Sequence, residues 1–563
     1  MVLPSSRGRA WSDLALRGPN ERGAPLRLPF HVAKRGGSGP IGAGGSADKN
    51  AKATMQDDVT SDRSRLRRLI ADGTLVHPMS TSGFTDLTCS IAHCCGVSLS
   101  TRTPAQDDLA QRLGGRDKQH IVFVLCDGLG TNIINEHCEP GSFLRKHNQP
   151  LSLVAVFPST TPAALATLAT GAWPGQHGCP GWNLRDQAGC EFPGEPTSGP
   201  VHLRVLDSVV KDARTNEDAS ALGFASPAAV YVKPPWTEVG ASCRKMLFVN
   251  AYNRSGFSRW SKGTPHDCEE CIRDTGEVDF APLPPTPPPT PPTDNNGDRT
   301  ATQRLAAASV SESAPSDAAS EAAAETIGRP EGTEAALRYL DDALGHVAAR
   351  LAEAEAKGWR TYSYVYTAHP DKHMHALGTV HEEVSRLVRG IDSRLASFWR
   401  NSCGALDATL LITADHGHIS VEPEHMVQLP PTLVECLEYA NVGVHGVGRH
   451  AYFHCRAGRQ ADFARRWRLE PRLCASFLLL TIEEASEEKL FGPEPPLPQV
   501  RPRMGDYVAI ALTRDTIVTP KEKRQFGETV QGAHGSLLPE EMRIPFVCLT
   551  TSRAPTKRRR AEA

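Results

Sequence analysis

The chain has 563 residues, of which 39% are hydrophobic and 22% are charged, as in an ordinary globular protein. Its formal net charge of -2 excludes a protein that binds polyanions through its overall charge. The sequence contains no run of about 18 apolar residues, so we expect no transmembrane helix.

Three segments have compositions that do not support a hydrophobic core. Residues 1–65 are rich in Arg, Gly, Pro and Ser, and we predict that they are disordered. They lack the apolar core of a secretory signal, whereas a transit peptide stays an alternative, so the location is open between the cytoplasm and an organelle. A Pro/Ala/Ser-rich insertion at about 275–328 and a basic tail at 551–563 are also predicted to be disordered. Within the insertion, residues 282–292 are a candidate docking site for a proline-reading partner.

We predict a single folded domain at 66–550, interrupted by that insertion. Continuous apolar runs predict buried strands at 121–126, 153–157, 362–366, 409–413 and 546–549. Apolar residues spaced three and four apart predict amphipathic helices at 337–351 and 384–398. This alternation indicates an α/β fold with a largely parallel central sheet flanked by helices. In such folds, the functional site lies at the carboxyl ends of the strands.

The first two predicted strands are each followed by a residue that can carry chemistry. Asp127 directly follows the first strand and precedes a flexible glycine, a position suited to a metal-binding carboxylate. After the second strand, Thr161 is a preferred N-cap residue, and Pro162 suits the first position of a helix that ends at Gly171. The hydroxyl would then lie where the helix dipole favours negative charge. From these residues alone, a simple capping role for Thr161 remains the alternative.

The next predicted strand leads into a cluster of acidic and histidine side chains. If a helix begins near Asp371, then Asp371 and His375 lie four residues apart and share one face. A carboxylate and an imidazole so placed can bind one divalent metal ion. We expect His369 and His373 to be bystanders, because His373 points away from that face and His369 precedes a proline.

The following strand ends at a second acidic and histidine pair, Asp415 and His416. We expect His418 to turn away from the site, because Gly417 lets the chain change direction. Much later, His534 lies between small residues in a predicted loop. Carboxylate and imidazole donors in this number suit two zinc ions, with manganese or iron as alternatives.

Together these motifs resemble the alkaline phosphatase superfamily and, within it, the nucleotide pyrophosphatase/phosphodiesterase family. The resemblance spans about residues 118–185 and 360–550 and implies an alkaline-phosphatase-like core with insertions. It rests on motifs in the family's order: Asp127-Gly128; segment 157–161 with Thr170-Gly171 and His177-Gly178; Asp371 to His375 with Gly378; Asp415-His416-Gly417; and Gly532 to Gly535.

The resemblance also implies a hydrolase of phosphoric ester bonds and a role for each residue. Thr161 would be the nucleophile of a two-step reaction through a phosphothreonine intermediate. Asn183, in Gly181-Trp182-Asn183, would hold a phosphate oxygen, although it lies one residue further along than in the family pattern. One zinc ion would be bound by Asp371, His375 and His534, and the other by Asp127, Asp415, His416 and Thr161.

The substrate is expected to be a small phosphoester, with nucleotides among the candidates. A threonine nucleophile favours phosphodiester or pyrophosphate bonds, and the alternative is a phosphomonoesterase or a phosphonoacetate-type hydrolase of the same superfamily. A non-catalytic scaffold, acting through the proline-rich insertion and the basic tail, is a further alternative. It predicts degraded metal ligands, whereas all seven positions carry competent side chains.

Overall fold

The computed structural model describes residues 61–97, 102–151, 153–189, 198–204, 209–212, 244–250, 332–438, 445–518 and 530–551. The predicted disorder of residues 1–60, of the insertion at about 275–328 and of residues 552–563 lies outside the described residues. So does the proline-rich candidate docking site at 282–292. These interpretations therefore stay predictions.

Three long apolar strands form the centre of the fold. Strand β1 (His120–Cys126) pairs in parallel with β7 (Arg360–Thr367) on one side and with β8 (Ala408–Thr413) on the other. Strand β6 (Arg244–Asn250) pairs in parallel with β7, and β18 (Val547–Thr550) pairs antiparallel with β8. The resulting order is β18-β8-β1-β7-β6. Every residue of β1 and β8 is buried, which explains their uninterrupted apolar sequences. The predicted α/β fold with a mostly parallel central sheet is confirmed.

The apolar run at 153–157 differs from its prediction. It is buried, but only β2 (Leu153–Val154) is a strand, and it pairs antiparallel with β17 (Arg543–Ile544) outside the central sheet. The prediction of a strand over 155–157 is therefore wrong. Burial alone accounts for the apolar side chains, and Pro158 has no N–H group with which to continue a ladder.

The structure also contains a second sheet, which is antiparallel and has seven strands. Sequence reasoning did not distinguish it from the central sheet. Its order is β13-β14-β12-β11-β3-β4-β5. These strands are β3 (Asn183–Gly189), β4 (Ser198–Arg204), β5 (Val209–Asp212), β11 (His445–Gly446), β12 (His450–Phe453), β13 (Phe477–Thr481) and β14 (Tyr507–Ala511).

Two short strand pairs complete the described ladders. Strand β9 (Ile419–Ser420) pairs antiparallel with β16 (Gly532–Ala533), and β10 (Met426–Gln428) pairs in parallel with β15 (Thr516–Val518). The β9–β16 pair matters for the site, because it joins the segment after β8 to the loop that carries His534.

Helices flank the sheets, and the two predicted amphipathic helices are confirmed as α8 and α10. The helices are α1 (Asp62–Ala71), α2 (Phe84–Cys94), α3 (Pro104–Arg112), α4 (Thr131–His137), α5 (Phe143–His147), α6 (Thr161–Thr170), α7 (Pro174–His177), α8 (Thr333–Lys357), α9 (Asp371–Leu377), α10 (Glu382–Phe398), α11 (Pro431–Val434), α12 (Gln460–Trp467), α13 (Pro471–Ser476), α14 (Ile482–Glu487), α15 (Arg501–Met504) and α16 (Pro539–Met542).

The first helix starts slightly before the predicted domain boundary at residue 66. It begins at Asp62, where the hydroxyl of Ser61 accepts a hydrogen bond from the Ser64 N–H group at 3.2 Å. In the part of the chain that the structure describes, no helix is both long and apolar enough to cross a membrane.

Candidate metal centre

The parallel strands of the central sheet bring three carboxylates to one edge. The register aligns Cys126 at the end of β1 with Thr367 at the end of β7, and Leu125 with Thr413 at the end of β8. Asp127 directly follows β1, and Asp415 follows β8 after one residue. Asp371 is the first residue of α9, the helix that follows β7. The Asp371 N–H group also donates to the Asp127 carbonyl at 3.1 Å, which fixes the start of α9 against the end of β1.

Asp127, Asp415 and His416 form the first group of donor side chains, the three-donor cluster. All three are buried. The Nε2 atom of His416 lies 3.4 Å from Asp127 Oδ1 and 3.4 Å from Asp415 Oδ2. The second Asp415 oxygen, Oδ1, accepts hydrogen bonds from the N–H groups of Gly128 and His416, each at 3.1 Å. One oxygen is thus used for positioning, and the other faces the cluster.

The Thr161 hydroxyl contacts this three-donor cluster. Its Oγ1 atom lies 3.2 Å from His416 Nε2 and 3.5 Å from Asp127 Oδ1. The predicted N-cap role is wrong by one position, because Thr160 is the N-cap and Thr161 is the first residue of α6. The hydroxyl is therefore directed to the cluster instead of to the helix backbone. The helix does end at Gly171, whose φ of 67° is left-handed, as predicted.

Asp371, His375, His418 and His534 form the second group, the four-donor cluster. Asp371 Oδ2 lies 3.4 Å from His375 Nε2, whereas Asp371 Oδ1 lies 3.3 Å from His418 Nε2 and 3.6 Å from His534 Nε2. The prediction that His418 turns away from the site is therefore wrong. The chain does change direction at Gly417, but the turn brings the next side chain in.

His369 and His373 lie outside both clusters, as expected for bystanders. Their Nδ1 atoms are 3.1 Å apart, and both side chains are buried. They therefore contact each other and not the donor groups, although His373 sits on the same short helix as Asp371 and His375.

The four cluster histidines share one orientation. Each places Nδ1 within hydrogen-bond distance of a backbone carbonyl, at 2.8–3.1 Å, and directs Nε2 into a cluster. A carbonyl oxygen can only accept, so the proton lies on Nδ1 and the lone pair on Nε2 is free to bind a cation. The pairs are His375 with Gly532, His416 with Gly417, His418 with Ile419, and His534 with Ser159.

The two clusters adjoin each other. The rings of His416 and His534, one from each cluster, stack with their centroids 3.6 Å apart and an interplanar angle of 10°. Cations bound at the two clusters would therefore be close neighbours, the arrangement that two-metal phosphoryl-transfer sites require.

Burial and crowding of like charges dominate the electrostatics of the centre. Burial raises the pKa of Asp127 well above its usual value, and the charges of Asp415 and Asp371 add to the effect. Burial also raises the pKa of Asp415, although His416 opposes this. Burial works in the same sense on Asp371, but His375, His418 and His534 outweigh it and hold the pKa of that carboxyl well below its usual value. Burial lowers the pKa of His418 to about 4, which favours its neutral, ligating form.

The donor atoms fit a pair of metal ions. Asp371 Oδ1, Asp415 Oδ2 and His418 Nε2 are buried and make no hydrogen bond with the described residues. The contacts between donor atoms given above measure 3.2–3.6 Å. Donors about 2.0–2.1 Å from a tetrahedral metal ion lie roughly 3.4 Å apart, so the spacing matches. A cation in each cluster would also offset the unfavourable burial of the carboxylates.

Asn183 lies in β3 of the second sheet. Its side-chain amide donates to the Gly446 carbonyl at 3.2 Å, and the side chain is half-buried. The contacts of the described residues do not link Asn183 to either cluster. Its predicted role at a phosphate oxygen stays a prediction.

Sequence reasoning missed two supports of the centre. The Tyr366 hydroxyl on β7 donates a short hydrogen bond to Asp127 Oδ2. Glu541 accepts the Ser536 N–H group on its carboxylate and the Gly417 N–H group on its backbone carbonyl, and its carboxylate pairs with buried Arg449. The sequence offered one indication of the role of Tyr366. Its hydroxyl is a polar group one residue before the end of a buried strand.

The amino-acid sequence matches the family model "Type I phosphodiesterase / nucleotide pyrophosphatase" over residues 121–537, which is more than half of the chain. The chain belongs to this family. The family predicted from the ordered motifs is thereby confirmed. Members hydrolyse phosphoester bonds with the help of metal ions, and the chain is a hydrolase of this class. Among curated proteins, none matches this sequence.

Several solved structures are similar to this chain at low identity. Murine ectonucleotide pyrophosphatase/phosphodiesterase 5 is 14% identical, with a TM-score of 0.44, and the match covers 76% of this chain and 87% of that chain. The human counterpart is 13% identical, with the same TM-score and coverage. Phosphonoacetate hydrolase from Sinorhizobium meliloti 1021, in complex with phosphonoacetate, is 16% identical, with a TM-score of 0.44 and coverage of 78% and 92%.

Proposed function

We propose that this protein is a two-metal phosphodiesterase or nucleotide pyrophosphatase that hydrolyses its substrate through a phosphothreonine intermediate at Thr161. One observation carries the proposal. The Thr161 Oγ1 atom lies 3.2 Å from His416 Nε2 and 3.5 Å from Asp127 Oδ1, within the reach of a cation that those two side chains bind. A hydroxyl in that position is suited to act as a nucleophile.

The metal sites follow from the two clusters. One ion would be held by Asp127, Asp415, His416 and Thr161. The other would be held by Asp371, His375 and His534, as the family resemblance implies. Imidazole and carboxylate donors suit zinc, with manganese or iron as the alternatives. When bound, the pair of ions supplies the positive charge that favours an ionised Thr161 hydroxyl and a negatively charged phosphate.

The position of Thr161 supports its proposed role as the nucleophile. It is buried, and its position at the start of α6 puts the positive end of the helix dipole beside the phosphate that it would attack. Its oxygen forms a bond to phosphorus as the ester oxygen leaves. A water oxygen then replaces the Thr161 oxygen on phosphorus, and Thr161 regains its proton, so that the net reaction consumes one water.

Asn183 is proposed to support a phosphate oxygen during these steps. Its amide nitrogen carries two N–H groups, and one of them is used by the Gly446 carbonyl. The second N–H group is available to donate to the substrate. The bond to Gly446 fixes the amide in one orientation, which would limit the entropy lost on binding.

The test is a substrate panel on purified protein with measured metal content. Bis-p-nitrophenyl phosphate and thymidine 5′-p-nitrophenyl phosphate probe diester hydrolysis, whereas p-nitrophenyl phosphate and phosphonoacetate probe the alternatives. We expect turnover of the two diesters and about two metal ions per chain. A protein that binds metal but turns over only the monoester or the phosphonate would replace the diester assignment.

The nucleophile is tested by Thr161→Val, which removes the hydroxyl but keeps the branched shape. We expect a loss of turnover on the order of 10⁴-fold or more, by analogy with the removal of other nucleophiles. Thr160→Ala is the matched control, because the Thr160 hydroxyl neither caps α6 nor forms another hydrogen bond with the described residues. Full activity of Thr161→Val would exclude the phosphothreonine route, and ³²P labelling of the wild-type protein alone would support it.

A further inference from the structure

The four-donor cluster contains one more side chain than the family resemblance implies. That resemblance gives three ligands to this metal ion, Asp371, His375 and His534, and leaves a coordination position open. The fourth side chain, His418, lies inside the same group of donor atoms. Its position, ring orientation and distances decide whether it is a neighbour or a ligand.

The strand pair β9–β16 determines the position of His418. Ile419 pairs with Ala533, and Ser420 with Gly532, in an antiparallel register. The next pair along this register is His418 and His534, so the ladder places the two side chains opposite each other. The His418 carbonyl also accepts a hydrogen bond from the Asn132 amide at 2.8 Å. The backbone that carries His418 is therefore fixed on both sides.

Gly417 makes this path of the chain feasible. Its N–H group donates to the Glu541 carbonyl at 2.9 Å, and a Cβ atom at this position would collide with the Glu540 carbonyl. Only glycine allows the chain to pass so close to α16. The close passage brings His418 back into the centre directly after His416.

The His418 ring is oriented like those of the three other cluster histidines. Nδ1 donates to the Ile419 carbonyl at 3.1 Å, and Nε2 lies 3.3 Å from Asp371 Oδ1. The side chain is fully buried, and Nε2 makes no hydrogen bond with the described residues. A buried ring nitrogen with a free lone pair costs stability unless it has a partner, and a metal ion satisfies that requirement.

We propose that His418 is a fourth protein ligand of the metal ion held by Asp371, His375 and His534. This inference rests on the proposed function, because it assigns a ligand at one of the two proposed metal sites. Four protein donors complete a tetrahedral shell, as in structural zinc sites, whereas catalytic sites usually keep one position for water or substrate. An ion bound by all four donors would be held more tightly than one bound at the three-donor cluster.

The test is metal binding by the full-length protein and by His418→Gln, measured with Zn²⁺ in competition with a chelator. We expect two zinc ions per wild-type chain, and a loss of affinity at one site of about 100-fold or more in the variant. Replacement of an outer partner of a ligand already costs about 10–100-fold, and loss of a ligand costs at least as much. His373→Gln is the matched control, because His373 is a buried histidine beside the centre but outside both clusters.

A second variant, His418→Cys, separates a ligand from a residue that only orients Asp371. With Co²⁺ in place of zinc, a cysteine that binds the ion produces a thiolate-to-cobalt charge-transfer band in the near ultraviolet. We expect that band in His418→Cys and not in His373→Cys. It is also a gain of signal, so it does not depend on loss of folding.

The possible outcomes are distinct. Two zinc ions in wild type, unchanged zinc affinity in His418→Gln and no charge-transfer band in His418→Cys would overturn this inference and leave the proposed function standing. Weaker binding in His418→Gln without the band would assign His418 a positioning role and also overturn the inference. A wild-type chain that binds no metal would contradict the proposed function itself.

Discussion

The two donor clusters lie side by side but are built differently. The three-donor cluster has two carboxylates and one imidazole, and the Thr161 hydroxyl lies against it. The four-donor cluster has one carboxylate and three imidazoles. Burial raises the pKa of both carboxylates in the first cluster, whereas the surrounding histidines hold the pKa of Asp371 well below its usual value in the second.

This difference indicates a division of labour between the two proposed metal sites. The three-donor cluster leaves a coordination position for the nucleophile, and its paired carboxylates need a cation to offset their repulsion. The four-donor cluster would supply four protein donors to an ion, which favours retention of the ion over exchange. We therefore expect substitutions in the three-donor cluster to lower mainly the turnover. Substitutions in the four-donor cluster should lower mainly the affinity for the metal ion.

Among substitutions of the metal-binding side chains and their supports, the largest loss of turnover should come from Asp415→Asn, which removes a charged donor from the three-donor cluster. Several kcal/mol of transition-state stabilisation are expected to be lost, equivalent to about 10³-fold in turnover. Metal analysis should show one ion per chain in place of two, because the four-donor cluster is intact. Asp341→Asn, which removes an exposed partner of Arg394, is the control. Two ions retained by Asp415→Asn would contradict the division of labour.

Glu541→Gln should lower the stability of the loops around the centre, because the substitution disturbs the buried Glu541–Arg449 pair. The Glu541 carboxylate accepts the Ser536 N–H group near His534, and its carbonyl accepts the Gly417 N–H group after His416. The substitution leaves the guanidinium of Arg449 buried without its anionic partner, at a cost of about 3–5 kcal/mol in the free energy of unfolding. Chemical denaturation measures this cost.

The matched control for Glu541→Gln is Glu483→Gln, which removes the partner of Arg501 from a largely exposed pair. That change should cost less than about 1 kcal/mol. Equal losses of stability in the two variants would contradict the proposed support of the centre by Glu541. If Glu541→Gln loses only one metal ion, the support by Glu541 is limited to one of the two loops.

Tyr366→Phe should weaken only the three-donor cluster. The Tyr366 hydroxyl donates to Asp127 Oδ2, and loss of such an outer partner typically lowers metal affinity by about 10–100-fold. Chelator competition on the variant should show one weakened site and one unchanged site. Tyr452→Phe is the control, because its buried hydroxyl donates to the Pro180 carbonyl, outside the three-donor cluster. Weakening of both sites by Tyr366→Phe would contradict their independence.

The effect expected at neutral pH is smallest for the buried histidines outside the clusters, because it develops only as the pH falls. Burial lowers the pKa of His177 and His450 to about 3, so each must stay neutral in the folded state. The stability that they contribute is present above the unfolded pKa of about 6.5 and is lost as the pH falls towards 3, by about 1.4 kcal/mol per pH unit per group. Thermal unfolding should show this pH dependence of stability even after the metal ions are removed with a chelator. His177→Gln should lower the slope by the contribution of one histidine, about 1.4 kcal/mol per pH unit.

Much of the fold could be predicted because its signals are local. Strands β1 and β8 are largely apolar, and β7 is rich in tyrosine and almost fully buried. Strands β1 and β8 are followed by acidic residues, Asp127 and Asp415, which are rarely buried without a partner. Parallel pairing then brings those ends together, which is a geometric consequence and needs no further information. The seven-stranded sheet could not be separated in this way, because five of its strands have two to five residues and they come from distant parts of the chain.

The sequence by itself determined which donor groups exist, in what order they occur, and the family to which the chain belongs. Only the tertiary structure decided that His418 faces the centre and that Thr161 begins α6 without capping it. The physical reason is the same in both cases. The direction of each side chain depends on contacts with distant residues. The backbone around His418 contacts Ala533 and Glu541, whereas the Thr161 hydroxyl contacts the side chains of Asp127 and His416. Such contacts cannot be predicted from residue type and spacing alone.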